Sequence, residues 1–187
     1  MEVVSVFEAV KLLQAGAIIA YPTESMYGLG CDPRQYTAVQ ALLHLKRRSE
    51  SKGLLLVAGE FAQLSPYIAL DQVSAAQWER VWAHWPGFRT YIFPAAIEAP
   101  TWITGGKPGI ALRLSQHSVI TQLSQAFGHP IVSTSANYTS QPPIVDLQEL
   151  QHVFPEIAGV VAGEMGAYRQ ASTIEDVLTG QIFRAGE

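Results

Sequence analysis

Residues 5–22 read SVFEAVKLLQAGAIIAYP, and this stretch predicts a helix followed directly by a strand. Ser5 and Glu8 have the S-x-x-E spacing of a capping box, and the apolar residues after them recur at helical spacing. Gly16 is a natural helix stop, and the apolar run at 17–21 predicts a short buried strand. A helix that leads at once into a buried strand is typical of the α/β class.

The same alternation continues to the end of the chain. We predict strands at 54–58, 90–93, 110–114, 130–133 and 157–162. We predict helices at 37–45, 60–64, 74–84, 118–127 and 147–154. Residues 22–32 and 134–143 are predicted to be loops. Residues 173–178 and 181–184, joined by a Thr-Gly turn, predict a hairpin. Because a hairpin is antiparallel, we expect a mixed, twisted sheet with helices around it.

The composition is that of a globular protein with few charges. Of the 187 residues, 48% are hydrophobic and 15% are charged, against a typical charged share of ~25%, and the length predicts one domain over residues 1–187. The net charge of −4 excludes a polycation that would bind nucleic acid through its overall charge. Cys31 is the only cysteine, which excludes an intrachain disulfide and a cysteine-based metal cluster.

The sequence lacks the usual marks of export or membrane insertion. Its N-terminus has no basic region followed by an apolar run, and no apolar stretch approaches the ~20 residues that span a bilayer. We therefore expect a soluble, cytoplasmic protein with no membrane partner.

Positive charge is concentrated in residues 46–52, KRRSESK, which hold four of the twelve Lys and Arg residues. One interpretation is a solvated helix end, where cations interact favourably with the negative pole of the helix dipole. The other is an anion clamp, because Arg offers a planar fork for phosphate and Lys a mobile point charge. The residues alone leave both interpretations open.

Two polar segments follow apolar strands, where open α/β sheets bind their ligands. In the first, STSANYTS at 133–140, seven of the eight side chains can form hydrogen bonds, although an ordinary loop with Asx and Ser/Thr turns explains the same residues. The second is YPTESMYGLG at 21–30. Its glycines are those expected of backbone turns, and Thr23, Glu24 and Ser25 are candidates to bind the ammonium or hydroxyl group of a small substrate.

Other possible motifs fail on spacing. Residues 104–109, TGGKPG, lack the spacing of a phosphate-binding loop, and Pro108 stands where a hydroxyl is required. The five histidines show no metal-ligand spacing, and no G-x-S-x-G elbow is present. The sequence therefore predicts no dedicated metal site, hydrolase triad or dinucleotide fold.

Taken together, the segments resemble the YrdC/TsaC family of threonylcarbamoyl-AMP synthases. The family hallmark, K-x-R followed far downstream by S-x-N, is matched by residues 46–48 and 135–137. Further matches are Y-P-T-E-x-x-Y-G-L-G at 21–30, W-P-G at 85–87, A-x-R at 111–113, S-T-I at 172–174 and I-x-R-x-G at 182–186. The resemblance spans nearly the whole chain. The sequence departs from the pattern at Gly53 and Phe88, where the family usually has Pro, and at 138–140.

The resemblance implies a YrdC/RibB-like fold, in which a twisted mixed sheet and its surrounding helices enclose a large concave cavity. It implies a nucleotidyltransferase that makes threonylcarbamoyl-AMP and pyrophosphate from L-threonine, bicarbonate or CO2, and ATP. This product serves N6-threonylcarbamoyladenosine modification of tRNA, so the implied partner is the downstream tRNA threonylcarbamoyltransferase machinery. Magnesium would enter with ATP as part of the substrate.

The resemblance also assigns roles to individual residues. Lys46, Arg48, Ser135 and Asn137 are the implied catalytic residues, and the same four together with Lys52 and Arg184 would bind ATP. Thr23, Ser25, Arg113, Ser133 and Ser172 would line the threonine pocket. Ser135 and Asn137 are expected on the wall opposite the K-x-R cations, and neither Lys46 nor Arg48 is expected in the core.

Two other functions remain open at this stage. The first is an RNA-binding protein without nucleotidyl transfer, in which residues 46–52 would contact tRNA or double-stranded RNA weakly; the acidic net charge weighs against it. The second is a carbamoyl-transfer module of the kind found in larger hydrogenase-maturation proteins. The absence of zinc motifs disfavours that reading.

Overall fold

Ten strands form a twisted mixed sheet in the computed structural model, which describes residues 2–186. The strands are β1 (Glu2–Val4), β2 (Ile19–Pro22), β3 (Tyr27–Gly30), β4 (Leu55–Ala58), β5 (Arg89–Pro94), β6 (Gly109–Leu114), β7 (Ile131–Ser135), β8 (Gly159–Val161), β9 (Thr173–Asp176) and β10 (Ile182–Arg184). Their order across the sheet is β1-β8-β2-β3-β7-β4-β6-β5-β9-β10.

Parallel and antiparallel pairs both occur, as the terminal hairpin predicted. The pairs β1–β8, β2–β8, β4–β6 and β5–β9 are parallel. The pairs β2–β3, β3–β7, β4–β7, β5–β6 and β9–β10 are antiparallel. The expected α/β class and the mixed sheet are confirmed.

Helices cover the sheet on both faces. They are α1 (Val6–Gln14), α2 (Tyr36–Leu45), α3 (Phe61–Leu64), α4 (Ala75–Trp82), α5 (Thr101–Thr104), α6 (Ser118–Phe127) and α7 (Leu147–Val153). The predicted capping box begins α1: the Ser5 amide donates to the Glu8 carboxylate over 2.8 Å, and the Glu8 amide donates to Ser5 Oγ over 3.3 Å. Within residues 2–186, no helix is long and apolar enough to cross a membrane.

The buried apolar side chains form two separate clusters against the sheet. In β4, Val57 packs with α1 and α6, whereas Leu56 and Ala58 pack with the remaining helices. Successive side chains of a strand point to opposite faces of the sheet, so the two clusters lie on opposite faces. The cluster beneath α1 and α6 is the smaller one and covers only part of its face.

Two predicted loops proved partly to be strands. The segment predicted as a loop at 22–32 contains β3, and β7 extends to Ser135 where a loop was expected from residue 134. The reason is close backbone approach: a Cβ at Gly30 would lie 2.5 Å from the Val132 carbonyl oxygen. Neither Gly28 nor Gly30 has a positive φ, so these glycines make room for a neighbouring strand instead of forming turns.

Candidate active site

A cavity of about 970 Å³ opens on the sheet face that α1 and α6 leave uncovered. Alternate residues form its floor, since residues 109, 111 and 113 of β6 line it while 110, 112 and 114 belong to the core. The same period of two holds for Thr90 and Ile92 of β5 and for Ile174 and Asp176 of β9. The cavity therefore lies against the sheet face, whereas the sequence suggested a site beyond the strand ends.

The cavity is strongly positive although the protein is acidic. Within residues 2–186, its charged lining comprises the cations Arg48, Lys52, Lys107, Arg113, Arg169 and Arg184 and one carboxylate, Asp176. The chain as a whole carries a net charge of −4. A concave site lined by one sign of charge focuses its field and concentrates ligands of the opposite sign. The site therefore suits a multiply charged anion.

Ten of the eleven side chains to which the resemblance assigns a role line this cavity, whereas Glu24, a candidate from the residues alone, does not. They are Thr23, Ser25, Arg48, Lys52, Arg113, Ser133, Ser135, Asn137, Ser172 and Arg184. The chain brings them together from four distant segments, through β2–β3, the turn after α2, β6–β7 and β9–β10. The exception is Lys46, which does not line the cavity.

Lys46 lies behind the cavity wall, and the expectation that it is not part of the core was wrong. Only 3% of the residue is exposed. Its ammonium donates to the Ser135 carbonyl and, over 2.8 and 3.2 Å, to the carbonyl and side-chain oxygens of Asn137. Burial, and then the charge of Arg48, lower the pKa of Lys46 to about 8.

Lys46 and the S-x-N residues consequently belong to one wall, which we call the S-x-N wall: Ser135 and Asn137 in front and Lys46 behind. The prediction that they face each other across the cavity is wrong for Lys46. A hydrogen bond of 2.6 Å from Ser135 Oγ to Asn137 Oδ1 fixes the front of the wall. The Asn137 amide nitrogen donates to the Gln141 carbonyl over 2.5 Å.

The turn after α2 separates the two arginines of the K-x-R segment. Arg47 has a φ of 51°, in the left-handed region, and its guanidinium lies 5.1 Å above the Tyr138 ring, outside the cavity. Arg48 turns into the cavity, where Nη2 donates to the Gly53 carbonyl over 2.9 Å. Burial lowers the pKa of Arg48, and Nε has no hydrogen-bond partner among the described residues.

Hydroxyl groups and the buried Arg113 line the other end of the cavity, next to Arg184. Ser172 Oγ lies 2.8 Å from Thr90 Oγ1, and Arg184 Nε donates to the Ser172 carbonyl over 2.9 Å. Partial burial of its guanidinium, and then the nearby Arg113, lower the pKa of Arg184. A cavity end of this kind can hold a small zwitterion through a carboxylate contact and several hydroxyl contacts.

Arg113 is 5% exposed and forms an ion pair of 3.2 Å with the buried Glu24. The Glu24 carboxylate also accepts the Ser115 hydroxyl over 2.5 Å. One oxygen of Glu24 and Nε of Arg113 are buried without a hydrogen-bond partner among the described residues. The ion pair engages Nη2 of Arg113, and the residue also lines the cavity.

Several lining residues have no assigned role in the sequence prediction, in which Lys107 and Arg169 are only fallback candidates for the phosphate contact. Thr90, Lys107, Arg169 and Asp176 line the cavity, although residues 104–109 were set aside as a failed phosphate loop. Strand periodicity points to Thr90 once β5 is paired with β6. Lys107 and Arg169 lie on loops, and no sequence pattern places them. Within residues 2–186, no group of three or more His, Cys, Asp or Glu side chains could hold a metal ion.

The fold and site define an α/β protein with an anion-binding cavity on one face of a mixed sheet. The family described as telomere recombination, Sua5/YciO/YrdC, matches residues 11–186, and the chain belongs to this family. A threonylcarbamoyl-AMP synthase of Klebsiella pneumoniae is 44% identical over 182 residues, which cover 97% of this chain and 96% of that protein. One from Xylella fastidiosa is 44% identical over 178 residues, or 95% of each chain.

Solved structures agree with the fold. P. abyssi Sua5, complexed with L-threonine, superimposes with a TM-score of 0.89 at 25% sequence identity. The match covers 97% of this chain and 54% of that one, so the chain spans about half of P. abyssi Sua5.

Proposed function

We propose that this protein is a nucleotidyltransferase that makes threonylcarbamoyl-AMP and pyrophosphate from L-threonine, bicarbonate or CO2, and ATP. The observation that carries the proposal is the single cavity in which cations and the S-x-N wall adjoin a hydroxyl-lined end with a buried arginine. ATP supplies the multiple negative charge for the first part, and threonine supplies the carboxylate and hydroxyl for the second. The relatives of 44% identity bear the corresponding name.

In the proposed reaction, the neutral amine of threonine adds to CO2, one N–H proton is lost to solvent, and an N-carboxylate forms. An oxygen of that carboxylate attacks the α-phosphorus of ATP, and the bond to pyrophosphate breaks. Arg48, Lys52, Ser135, Asn137 and Arg184 would contact the nucleotide, with Lys46 holding the S-x-N wall from behind. No protein nucleophile is required, because holding two anions together and neutralising phosphate charge lowers the barrier.

The threonine end would consist of Thr23, Ser25, Arg113, Ser133 and Ser172. Arg113 is suited to the carboxylate because a guanidinium binds a carboxylate through two parallel hydrogen bonds. Magnesium would arrive as part of the ATP substrate, held mainly by its phosphates. The product would pass to the machinery that transfers threonylcarbamoyl groups to tRNA, in the cytoplasm, and residues 1–187 would act as one domain.

The test is to incubate the protein with threonine, isotopically labelled bicarbonate and ATP, and to identify the AMP-linked product by mass spectrometry. The label must appear in the product, and pyrophosphate must form in equal amount. Omission of any one substrate is the control and should abolish the product. Valine in place of threonine should react ~10⁴-fold less well, because a site built to hydrogen-bond a hydroxyl rejects an analogue without it. Absence of product with all three substrates would refute the proposal.

RNA binding without nucleotidyl transfer is the weaker candidate. Of the four cations in residues 46–52, Lys46 is buried and Arg48 and Lys52 line the cavity. That leaves Arg47 as the cation of this segment that faces away from the cavity. A single outward cation supports at most weak, strongly salt-dependent contact with a phosphate backbone.

A further inference from the structure

Phe88, Tyr168 and Arg113 are stacked at the threonine end of the cavity. The rings of Phe88 and Tyr168 are 4.4 Å apart and nearly parallel, at 23°. The guanidinium carbon of Arg113 lies 5.5 Å from the centre of the Phe88 ring. At this distance the positive guanidinium is attracted to the π-face of the ring. Arg113 lines the cavity, whereas the two aromatic rings lie outside its lining.

Tyr168 belongs to residues 163–171, a segment that lies directly on the backbone of Thr23 and Glu24. The Gly166 amide donates to the Thr23 carbonyl over 2.9 Å, and the Tyr168 amide donates to the Glu24 carbonyl over 3.0 Å. A Cβ at Gly166 would come within 2.4 Å of that Glu24 oxygen, so the contact requires glycine. The residues that follow, 169–171, line the cavity.

Arg113 is thereby held from two sides. The Glu24 carboxylate lies 3.2 Å from one of its nitrogens, and the Phe88 ring covers its π-face. Arginine has a long side chain with several rotatable bonds, and stacking on an aromatic ring restricts it to fewer orientations. Restriction before ligand binding lowers the entropy lost on binding.

We propose that Phe88 and Tyr168 are positioning residues for the threonine site. Their stack aims Arg113 into the cavity and keeps residues 163–171 against the Thr23–Glu24 backbone. This inference rests on the proposed function, because it concerns the threonine end of that site. Phe88 stands where the YrdC/TsaC family usually has Pro, so the Phe88–Tyr168 stack is not part of the family pattern.

The experiment compares Tyr168→Leu and Phe88→Leu with Tyr168→Phe, which keeps the ring. Tyr36→Leu is the matched control, because Tyr36 is similarly exposed and packs edge-on against Trp102 at 5.4 Å outside the cavity lining. For both Leu variants we expect the KM for threonine to rise roughly tenfold, from the lost aromatic and cation–π contacts. The KM for ATP and kcat should stay within about twofold, as expected for lost binding that does not change during the reaction. Tyr168→Phe and Tyr36→Leu should behave as the wild type.

Two measurements do not depend on synthesis. The dissociation constant of threonine, measured by calorimetry, should rise by the same factor in the Leu variants. Trypsin should cleave after Arg169 faster in Tyr168→Leu than in Tyr168→Phe, because the loss of the ring releases residues 163–171. If the wild type binds threonine but makes no product, the proposed function fails. The inference about Phe88 and Tyr168 is then still tested by the dissociation constants of threonine.

An unchanged threonine affinity in both Leu variants would overturn the inference. A lower kcat together with higher KM values for both threonine and ATP, accompanied by a lower melting temperature, would also overturn the inference. Such a result would indicate general damage to the fold. The same would follow if Tyr36→Leu weakened threonine binding as much as Tyr168→Leu.

Discussion

Replacement of Lys46 by Ala should destabilise the protein, in contrast to the small effect expected of a surface lysine. The ammonium donates to three acceptors of Ser135 and Asn137, and the residue is 3% exposed. Hydrogen bonds to a charged group contribute about 1.5–3 kcal/mol each, so the three together stabilise the folded state by about 6 kcal/mol. Truncation leaves all three acceptors without this donor.

Part of that loss is offset, because burial of the ammonium is itself unfavourable. The lowering of the Lys46 pKa to about 8 shows this direction, because burial favours the neutral amine, so the net loss is smaller than the sum of the three hydrogen bonds. We therefore expect Lys46→Ala to lower the free energy of unfolding by about 3 kcal/mol. In a chain of this length, that corresponds to a melting temperature roughly 6–12 °C lower.

The control is Arg47→Ala, in the adjacent position. Arg47 is exposed and stacks on Tyr138, a contact that contributes about 0.5–1 kcal/mol, so its loss should shift the melting temperature by at most about 4 °C. Calorimetry and product formation should be measured on both variants at pH 7. If Lys46→Ala melted within about 4 °C of the wild type, the hydrogen-bonded S-x-N wall would not have the energetic role that we assign to it.

The same site and its supporting strands give four further predictions. Product formation should fall as pH rises through about 8, since Lys46 then loses its charge; a rate that is flat to pH 10 would contradict this. Between pH about 8 and about 10.4, Lys46 is deprotonated in the folded state and still protonated in the unfolded chain. Because the folded state then binds fewer protons, the contribution of Lys46 to the free energy of unfolding should rise over this range. Gly30→Ala should destabilise the protein by about 1–3 kcal/mol or more, as its Cβ would lie 2.5 Å from the Val132 oxygen, and an unchanged melting curve would disprove that steric argument. Arg48→Ala should lose ~10²- to 10³-fold in rate while Arg47→Ala remains active, and equal losses in both would show that the K-x-R roles are misassigned.

Elements with strong local signals could be predicted closely from the sequence. Helix α6 has the predicted bounds Ser118–Phe127, and the capping box of α1 forms as its spacing required. Strand β3 could not be found in this way. Its glycines resemble a turn locally, and they are required by close packing against β7, about a hundred residues further along the chain.

The candidate site also contains residues that the sequence predicts and residues that only the folded chain brings together. The residue types of the K-x-R and S-x-N segments indicate an anion site, and the resemblance joins them across the sequence. The burial of Lys46 was not predictable, because its partner Asn137 is 91 residues away and the segment around Lys46 is polar. Lys107 and Arg169 reach the cavity through loops whose course is set by the assembled sheet.

The position of the cavity follows from how one sheet face is divided. Along β4, Val57 packs beneath α1 and α6, and Leu55, two residues earlier on the same face, lines the cavity. The helices thus end over the middle of the sheet, and the rest of the face is free to carry polar and charged side chains. Arg113 pairs with Val57 across β4–β6, at the boundary between the apolar cluster and the cavity. A guanidinium at such a boundary is desolvated on the core side and accessible on the other, so its attraction to an anion is stronger than it would be in open solvent.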